Sequence, residues 1–313
     1  MRPELSIVIP VFNEAPTLTD LHHRLTRTLK DLGRPWEVIF VDDGSTDRSA
    51  ELLRALHVQD PAVRVVRFNR NYGQHAAVFA GMERARGDVV ITLDADLQNP
   101  PEEIPALVRR LADGFDVVGG ARVSRHDPWF RRVASRLVNR TTSAIVGVRM
   151  TDYGCMLRAY RRSVVDQIVA CHEISRFIPA LANTFATAVA EVPVEHAPRR
   201  EGRSRYGLLR LLRLNMDLMT GFSLLPIQAV SLAGVVVAAL GLGFAVFLAL
   251  RRLLVGPEVE GVFTLFAILF FFVGLQILAL GLIGEYVGRI YQEVRRRPRY
   301  VVAEDLCTWG PHQ

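Results

Sequence analysis

Short apolar runs alternate with longer amphipathic stretches along the first part of the chain. An apolar run bounded by turn residues is typical of a buried strand, and apolar positions that repeat with a helical period are typical of a covering helix. Strands that alternate with helices form βαβ units, so the pattern predicts an α/β fold with a mostly parallel sheet. Strands are predicted at residues 5–11, 37–41, 63–68, from 89 onward and 116–119.

Two acids, Asp94 and Asp96, follow the predicted strand that begins at Val89. In an open α/β sheet, ligands bind beyond the carboxyl ends of the strands. Mg²⁺ is commonly held by one or two carboxylates together with substrate phosphates. The pair therefore predicts a divalent-cation site, with a polar strand-to-loop cap as the alternative.

Polar side chains follow each of the other predicted strands as well. A structural protein has no reason to place so many acids and amides along one sheet edge, so a ligand site is predicted there. For Glu14 and Asp42 the alternative is helix capping. The clusters are Asn13 and Glu14, Asp42 and Asp43, Arg70 and Asn71, Asp94 and Asp96, and Arg122.

Two segments of the last third, residues 227–250 and 262–284, contain no charged residue. At about 1.5 Å per residue, each is long enough to span a membrane as a helix. The preceding segment, residues 206–222, repeats leucines with Arg210 and Arg213 between them. It predicts an amphipathic helix in the membrane interface, with a packed core helix as the alternative.

Arginine carries almost all of the formal charge of +6, because Lys30 is the only lysine. A basic chain suits nucleic acid, anionic lipid or phosphorylated substrates. The arginines concentrate beside the apolar segments and no nucleic-acid motif is present, which argues against nucleic-acid binding. More arginine on the outer flanks than in the loop between the segments places both flanks in the cytosol. The flanking arginines are Arg199, Arg200, Arg203, Arg205, Arg210 and Arg213 before the first segment and Arg289, Arg295, Arg296, Arg297 and Arg299 after the second.

Other features agree with a cytosolic domain. The chain has three widely spaced cysteines, Cys155, Cys171 and Cys307. An odd number at such spacing predicts reduced thiols rather than a disulfide framework or a zinc site. The first apolar run is too short for a signal peptide and has no cleavage pattern.

Three motifs, each at the end of a predicted strand, together resemble family 2 glycosyltransferases: residues 7–14, 41–47 and 93–98. The resemblance implies an inverting enzyme with the GT-A nucleotide-binding, Rossmann-like fold, a UDP-sugar donor, and Mg²⁺ or Mn²⁺. The Gln-Asn-Pro-Pro sequence at residues 98–101 resembles the branch that transfers sugar to polyprenyl phosphate. The sequence has no Gln-x-x-Arg-Trp motif, which marks the processive polysaccharide synthases.

The resemblance also implies roles for individual residues. Asp96 would bind the metal, and Asp94 would act beside the donor sugar as a catalytic residue. Asp152 matches the acid usually taken as the catalytic base. A phosphate monoester has a second pKa near ~6, so the acceptor needs little deprotonation, and Asp152 either orients it or takes a proton from its minor protonated form. The implied donor-binding residues are Pro10, Phe12, Glu14, Asp42, Arg70, Asp94, Ala95 and Gln98.

Arginines beyond residue 120 are candidates for binding the acceptor phosphate, because guanidinium forks match phosphate oxygens. Arg122, Arg131 and Ser135 would form a clamp, with Arg200 and Arg205 in a basic loop that closes over the site. The alternatives are a solvated basic face, or for the loop a juxtamembrane cluster attracted to anionic lipid.

Further stretches resemble the branch that transfers 4-deoxy-4-formamido-L-arabinose to undecaprenyl phosphate for lipid A modification and polymyxin resistance. That branch implies a multi-pass protein of the bacterial inner membrane and a homo-oligomer such as a tetramer. A glucosyl or mannosyl transferase to polyprenyl phosphate is one alternative, and a membrane-anchored nucleotide-sugar binding protein without activity is another. The stretches are residues 69–75, 93–104, 152–162, 177–183 and 284–291.

These patterns predict four regions along the chain. They are a cytosolic GT-A domain at 1–200, a basic loop and interfacial helix at 201–225, two transmembrane helices at 226–285 and a cytosolic tail at 286–313.

Overall fold

The structure is a computed structural model that describes residues 2–123, 150–171, 178–195, 225–255, 262–295 and 297–306. The chain forms two compact units. The larger unit comprises Met1–Leu211 together with Arg297–Gln313, and the smaller comprises Leu212–Arg296.

The larger unit contains a sheet with eight strands among the described residues. In chain order they are β1 (Leu5–Val11), β2 (Trp36–Asp42), β3 (Val63–Phe68), β4 (Val89–Thr92), β5 (Val117–Arg122), β6 (Arg158–Arg161), β7 (Val189–Val194) and β8 (Val302–Leu306). Across the sheet the order is β7-β5-β6-β4-β1-β2-β3-β8. The pairs β1–β2, β1–β4, β2–β3 and β5–β7 are parallel, whereas β4–β6, β5–β6 and β3–β8 are antiparallel. The sheet is mixed and mostly parallel, as predicted.

Helices cover the sheet on both faces. In the larger unit they are α1 (Ala15–Leu32), α2 (Ser49–Gln59), α3 (Gln74–Arg84), α4 (Ile104–Ala112), α5 (Arg162–Ala170) and α6 (Ile178–Phe185). Successive residues of a strand point to opposite faces. Ile7 and Ile9 of β1 accordingly belong to the apolar cluster that includes α1, whereas Val8 belongs to the cluster that includes α3. Because both faces of β1 are buried, its sequence is apolar except at Ser6, which is buried and donates a hydrogen bond to Glu37.

The five strands predicted from the first part of the chain are present. β1 and β3 have the predicted bounds, and β5 continues three residues beyond the predicted end to Arg122. β7 and β8 were not predicted. β8 comes from the C-terminal segment, after both long apolar helices, and pairs antiparallel with β3.

The smaller unit contains two long apolar helices, α7 (Leu225–Val255) and α8 (Val262–Val294). Each includes an 18-residue stretch that is long and apolar enough to cross a membrane, Ile227–Phe244 in α7 and Phe271–Gly288 in α8. No residue of these stretches is buried in the structure. A core helix of a soluble protein would bury most of such a stretch, so exposure of these apolar side chains favours a membrane environment.

Candidate active site

The sheet topology brings the predicted polar clusters to one edge. β1, β2, β3 and β4 run parallel, so their carboxyl ends lie on the same side. β5 is antiparallel to β6, which is antiparallel to β4, and β5 therefore also ends at this edge. The segments that follow these five strands form the candidate active site.

Asp43 connects the loops after β2 and β3 by two hydrogen bonds. Its Oδ1 accepts a hydrogen bond from the Tyr72 backbone N at 2.6 Å, and its Oδ2 accepts one from the Gly73 backbone N at 2.8 Å. Burial raises the pKa of Asp43 above its ordinary value, against the two backbone donors, which lower it. Gly44 has φ +70°, and a Cβ there would lie 2.4 Å from the Arg70 carbonyl carbon. Only glycine allows this backbone approach, which places the Arg70 loop directly against the β2 loop.

Asp42 is buried just beneath this edge. Its Oδ1 accepts a hydrogen bond from the Ser45 backbone N at 2.8 Å, and its Oδ2 lies 3.3 Å from Arg67 Nε. Among the described residues, Oδ2 of Asp42 has no hydrogen-bond partner of good geometry. Asp42 therefore closes a turn and does not cap a helix. Its contact with the base or ribose stays a prediction.

The segment after β1 presents an aromatic side chain at the edge. Pro10 is half-buried, whereas the Phe12 ring is 45% exposed and is available for stacking. Asn13 has φ +57°, and its Oδ1 accepts a hydrogen bond from the Thr46 backbone N at 2.8 Å. Glu14 occupies the N-cap position of α1, but its side chain makes no capping hydrogen bond. Helix capping therefore does not account for the presence of a carboxylate at this position.

The loop after β4 alternates buried and partly exposed residues. Ala95 and Leu97 are buried, whereas Asp94, Asp96 and Gln98 are partly exposed. Leu97 has φ +60°, and with Asn13 it is one of two non-glycine residues with positive φ in the described part of the chain. Such a conformation is uncommon and is often retained at functional sites. The loop thus presents three predicted site side chains, and Ala95 can reach a donor only through its backbone.

The two acids of this loop are each held by an amide. Gln74 Nε2 donates a hydrogen bond to Asp94 Oδ1 at 2.6 Å, and the Gln98 backbone N donates one to Asp96 Oδ1 at 3.1 Å. No group of three or more His, Cys, Asp or Glu side chains is placed to hold a metal ion in the described residues. The donors present fit a hard cation that takes its remaining ligands from phosphate and water.

Arg122, at the end of β5, pairs with Asp152. Arg122 Nε donates to Asp152 Oδ2 at 2.6 Å, and Nη2 donates to Oδ1 at 2.9 Å. The Asp152 side chain is only 3% exposed, whereas that of Arg122 is 23% exposed. The backbone N of Gly154 donates a further hydrogen bond to Asp152 Oδ1 at 3.1 Å. The structure therefore joins the predicted phosphate-binding arginine to the predicted catalytic acid.

The backbone of Asp152 is held from both sides by residues that the sequence did not indicate. Glu191 of β7 accepts hydrogen bonds from the backbone N of Thr151 at 2.8 Å and of Asp152 at 3.0 Å. Fully buried Arg158 donates from Nη2 to the Asp152 carbonyl at 2.9 Å. Glu191 reaches Asp152 because β7 pairs with β5, a long-range contact that local sequence does not indicate, whereas Arg158 lies only six residues along the chain from Asp152.

The Asp152 loop also contacts the loop of the two acids. Cys155 Sγ donates a hydrogen bond to Asn99 Oδ1 at 3.7 Å, and Thr92 Oγ1 donates one to the Met156 carbonyl at 2.5 Å. Burial, with the Asp152 charge as a second cause, raises the pKa of the Cys155 thiol to about 11. The segments that carry Asp94 and Asp152 are therefore neighbours.

Arg70 is exposed at the same edge, with its guanidinium carbon 4.9 Å from the centre of the Tyr72 ring. The remaining predicted acceptor residues, Arg131, Ser135, Arg200 and Arg205, lie outside the described residues.

Comparison with known sequences identifies two curated relatives of nearly the same length. Both are named undecaprenyl-phosphate 4-deoxy-4-formamido-L-arabinose transferase. The protein from Edwardsiella ictaluri is 54% identical over 302 residues, which cover 95% of this chain and 93% of the relative. The protein from Aeromonas hydrophila is 52% identical over 301 residues, which cover 95% of this chain and 92% of the relative.

A solved structure shares the fold. The glucosyl-3-phosphoglycerate synthase from Mycobacterium tuberculosis, in complex with Mn²⁺, UDP and glucosyl-3-phosphoglycerate, superposes with a TM-score of 0.51 at 18% sequence identity. The match covers 70% of this chain and 78% of the synthase. At this identity the likeness shows the fold alone, and it confirms the predicted GT-A architecture.

The family model described as Glycosyl transferase family 2 matches residues 6–169, which include the segments after β1 to β5 and Asp152. Together with the full-length relatives, this match confirms the predicted family and the predicted class of enzyme. The chain is a glycosyltransferase and belongs to glycosyl transferase family 2.

Proposed function

We propose that this enzyme transfers 4-deoxy-4-formamido-L-arabinose from its UDP-sugar to undecaprenyl phosphate at the cytosolic face of the bacterial inner membrane. The observation that carries the proposal is the identity of 54% to a relative named for that transfer, which extends over 95% of the chain and so includes both apolar helices. The product would serve lipid A modification and polymyxin resistance.

The donor end of the site would lie on the loops after β1 to β4. Phe12 offers an exposed ring for the base, Arg70 faces the diphosphate, and Asp94 lies beside the sugar. Asp96 would hold the cation, and a bound divalent ion, Mg²⁺ or Mn²⁺, neutralises the charge of the departing diphosphate. The oxygen donors of Asp94 and Asp96 support this role, and the related fold that holds Mn²⁺ with UDP agrees with it.

The acceptor end would lie at Arg122. A phosphate oxygen attacks C1 of the sugar from the face opposite UDP, the C1–O bond to UDP breaks, and the configuration inverts. The acceptor is mostly dianionic at neutral pH because its second pKa is near ~6, so little deprotonation is needed. Asp152 already accepts both forked hydrogen bonds from Arg122. We therefore assign Asp152 the task of orienting the guanidinium toward the phosphate.

The path of the chain supports a two-span topology. Residues on both sides of α7 and α8 belong to the larger unit, and β8 is a strand of its sheet. A chain that leaves and re-enters one folded unit must cross the membrane an even number of times. Two crossings with arginine-rich outer flanks place the larger unit in the cytosol, where the UDP-sugar is available. The tetramer stays a prediction.

The test is transfer to undecaprenyl phosphate from a panel of UDP-sugars, with the purified full-length enzyme in detergent and Mg²⁺ or Mn²⁺ present. We expect product with UDP-4-deoxy-4-formamido-L-arabinose and none with Asp96→Asn. The matched control is Asp113→Asn, because Asp113 is an exposed acid that pairs only with Arg110 in the described structure. Product with UDP-glucose instead would remove the sugar assignment, and no transfer to undecaprenyl phosphate from any donor would overturn the proposal.

A further inference from the structure

The segment that follows α8 packs closely on the larger unit. β8 pairs with β3, and the Asn69 backbone N donates a hydrogen bond to the Val301 carbonyl at 3.1 Å. In the middle of β8, Arg54 Nη2 donates to Glu304 Oε2 at 2.6 Å. This C-terminal segment is therefore a structural part of the sheet, although the apolar helices separate it from the rest of the larger unit in sequence.

Tyr300 begins a line of aromatic contacts that leads to the candidate donor site. Its ring stacks on Phe68, the last residue of β3, with centroids 4.6 Å apart and an interplanar angle of 18°. Phe68 in turn meets Tyr72 edge to face at 5.7 Å. The Arg70 guanidinium lies over the Tyr72 ring, with its carbon 4.9 Å from the ring centre.

Tyr300 is itself held on the side away from the site. Its hydroxyl hydrogen-bonds to the carboxylate of Glu83, and Arg84 Nη1 donates to the same hydroxyl at 3.2 Å. The neighbouring Arg299 lies over the Phe79 ring at 3.9 Å. α3 therefore fixes Tyr300, and Tyr300 offers a rigid face to Phe68.

We propose that Tyr300 is a positioning residue for the nucleotide-sugar donor, because it holds the loop Asn69–Gly73 through Phe68 and Tyr72. Asp43 supports this loop from the β2 side, and the aromatic line supports it from the β3 side. Without Tyr300 the loop would be less ordered before the donor binds, and ordering it would reduce the affinity. The inference rests on the proposed function in one respect, namely that Arg70 faces the donor diphosphate.

The test uses the full-length enzyme and three variants. Tyr300→Ala removes the stacking partner of Phe68, and we expect it to raise the donor KM and the Kd for UDP with metal about two- to tenfold, the factor that an aromatic pair provides. Acceptor KM and kcat should stay at the wild-type values. Tyr300→Phe loses the hydroxyl contacts with α3 but keeps the ring that stacks on Phe68, so its donor KM should stay much closer to the wild-type value than that of Tyr300→Ala. Arg54→Met removes the ion pair with Glu304 in the middle of β8 and changes none of the aromatic contacts, so it should leave the donor KM unchanged.

Other results would overturn the inference. The first is a donor KM and a UDP Kd in Tyr300→Ala that equal the wild-type values. The second is a lower yield of active enzyme in which donor KM, UDP Kd, acceptor KM and kcat are all unchanged. If Tyr300→Ala does not fold, Tyr300→Leu fills the space without stacking and should show the same rise in donor KM. UDP binding to the wild type and to the variants tests the inference even if the sugar or the acceptor of the proposed function is wrong.

Discussion

Arg122 and Asp152 form a bidentate ion pair, in which Nε and Nη2 of the arginine lie 2.6 and 2.9 Å from the two carboxylate oxygens. The sequence indicated the two residues for separate tasks: phosphate binding for Arg122, and orientation of the acceptor or uptake of a proton for Asp152. Their pairing means that a change to either one also alters the other.

Asp152→Asn distinguishes an orienting role from a general base. The amide still accepts one hydrogen bond from Arg122, so we expect kcat to fall about ten- to a hundredfold, at or below the lower end of the range of about 10²–10⁴ for loss of a general base. The acidic limb of the rate profile should remain near the second phosphate pKa of ~6. Steady-state rates from pH 5 to 9 measure both. A larger loss with a flat pH profile would make Asp152 a base.

Gly44→Ala tests the close approach of the β2 and β3 loops. The left-handed conformation alone disfavours alanine by about 1–2 kcal/mol, and the new Cβ would also collide with the Arg70 backbone. We expect a lower unfolding temperature and a donor KM raised about tenfold, since small displacements of binding groups have large kinetic effects.

Gly33→Ala is the matched control for this substitution. Gly33 has φ +64°, but apart from Gly33, the adjacent residues and the nearby helix backbone, no heavy atom of the described residues lies within 4 Å of the position that an alanine methyl group would occupy there. It should lower the unfolding temperature through the backbone conformation alone and leave the donor KM unchanged. Equal effects of the two variants on the donor KM would contradict the role assigned to the Arg70 loop.

Glu191→Gln tests how the Asp152 backbone is held. Its carboxylate accepts hydrogen bonds from the backbone N of Thr151 and of Asp152 and from Thr151 Oγ1. In glutamine, the NH2 group would replace one of the two accepting oxygens and would face these N–H and O–H donors. We expect kcat to fall about tenfold with an unchanged Kd for UDP, because Glu191 supports only the acceptor side. The control is Glu103→Gln, because the Glu103 carboxylate also accepts a hydrogen bond from a backbone N, that of Glu195. This variant should leave kcat and the Kd for UDP unchanged. Weaker UDP binding in Glu191→Gln would contradict the assignment of Glu191 to the acceptor side alone.

The buried thiol of Cys155 predicts a specific alkaline sensitivity. Its pKa is raised to about 11, so the fold favours the neutral thiol. This contribution to the free energy of unfolding is fully present below the ordinary thiol pKa of ~8.5, and it is lost as the pH rises through the folded-state pKa of about 11. Peptide mapping after treatment with a maleimide at pH 8 should find Cys171 labelled before Cys155. Cys155→Ser should lose less stability than the wild type between pH 9 and 11, and equal losses would refute the assignment.

Local patterns predicted the strands and the site edge well, because each strand from β1 to β5 is mainly apolar and has polar residues at or directly after its end. Asp94 and Asp96 come to the edge on such a run. Which of Asp42 and Asp43 faces outward depends on a shift of one residue at the end of β2, which periodicity does not determine. The structure buries both and uses Asp43 to bind the next loop.

Long-range pairing limited the rest of the prediction. β8 has only five residues, two of them acidic, and its partner β3 lies far away in the sequence. β6 enters the sheet between β4 and β5 in the opposite direction, and this insertion brings Arg158 beneath Asp152. Glu191 acquires its role only from the pairing of β7 with β5, so no local signal could have indicated it, whereas Arg158 lies six residues from Asp152 in the sequence.

The position of β8 in the chain has a consequence for biosynthesis. The ribosome makes β8 after every other described element, so the edge of β3 stays unpaired while both apolar helices are synthesised. An unpaired strand edge is a site of aggregation until its partner arrives. Completion of the sheet thus waits for synthesis beyond the last helix, and nascent chains that stall in that helix would lack the partner strand of β3.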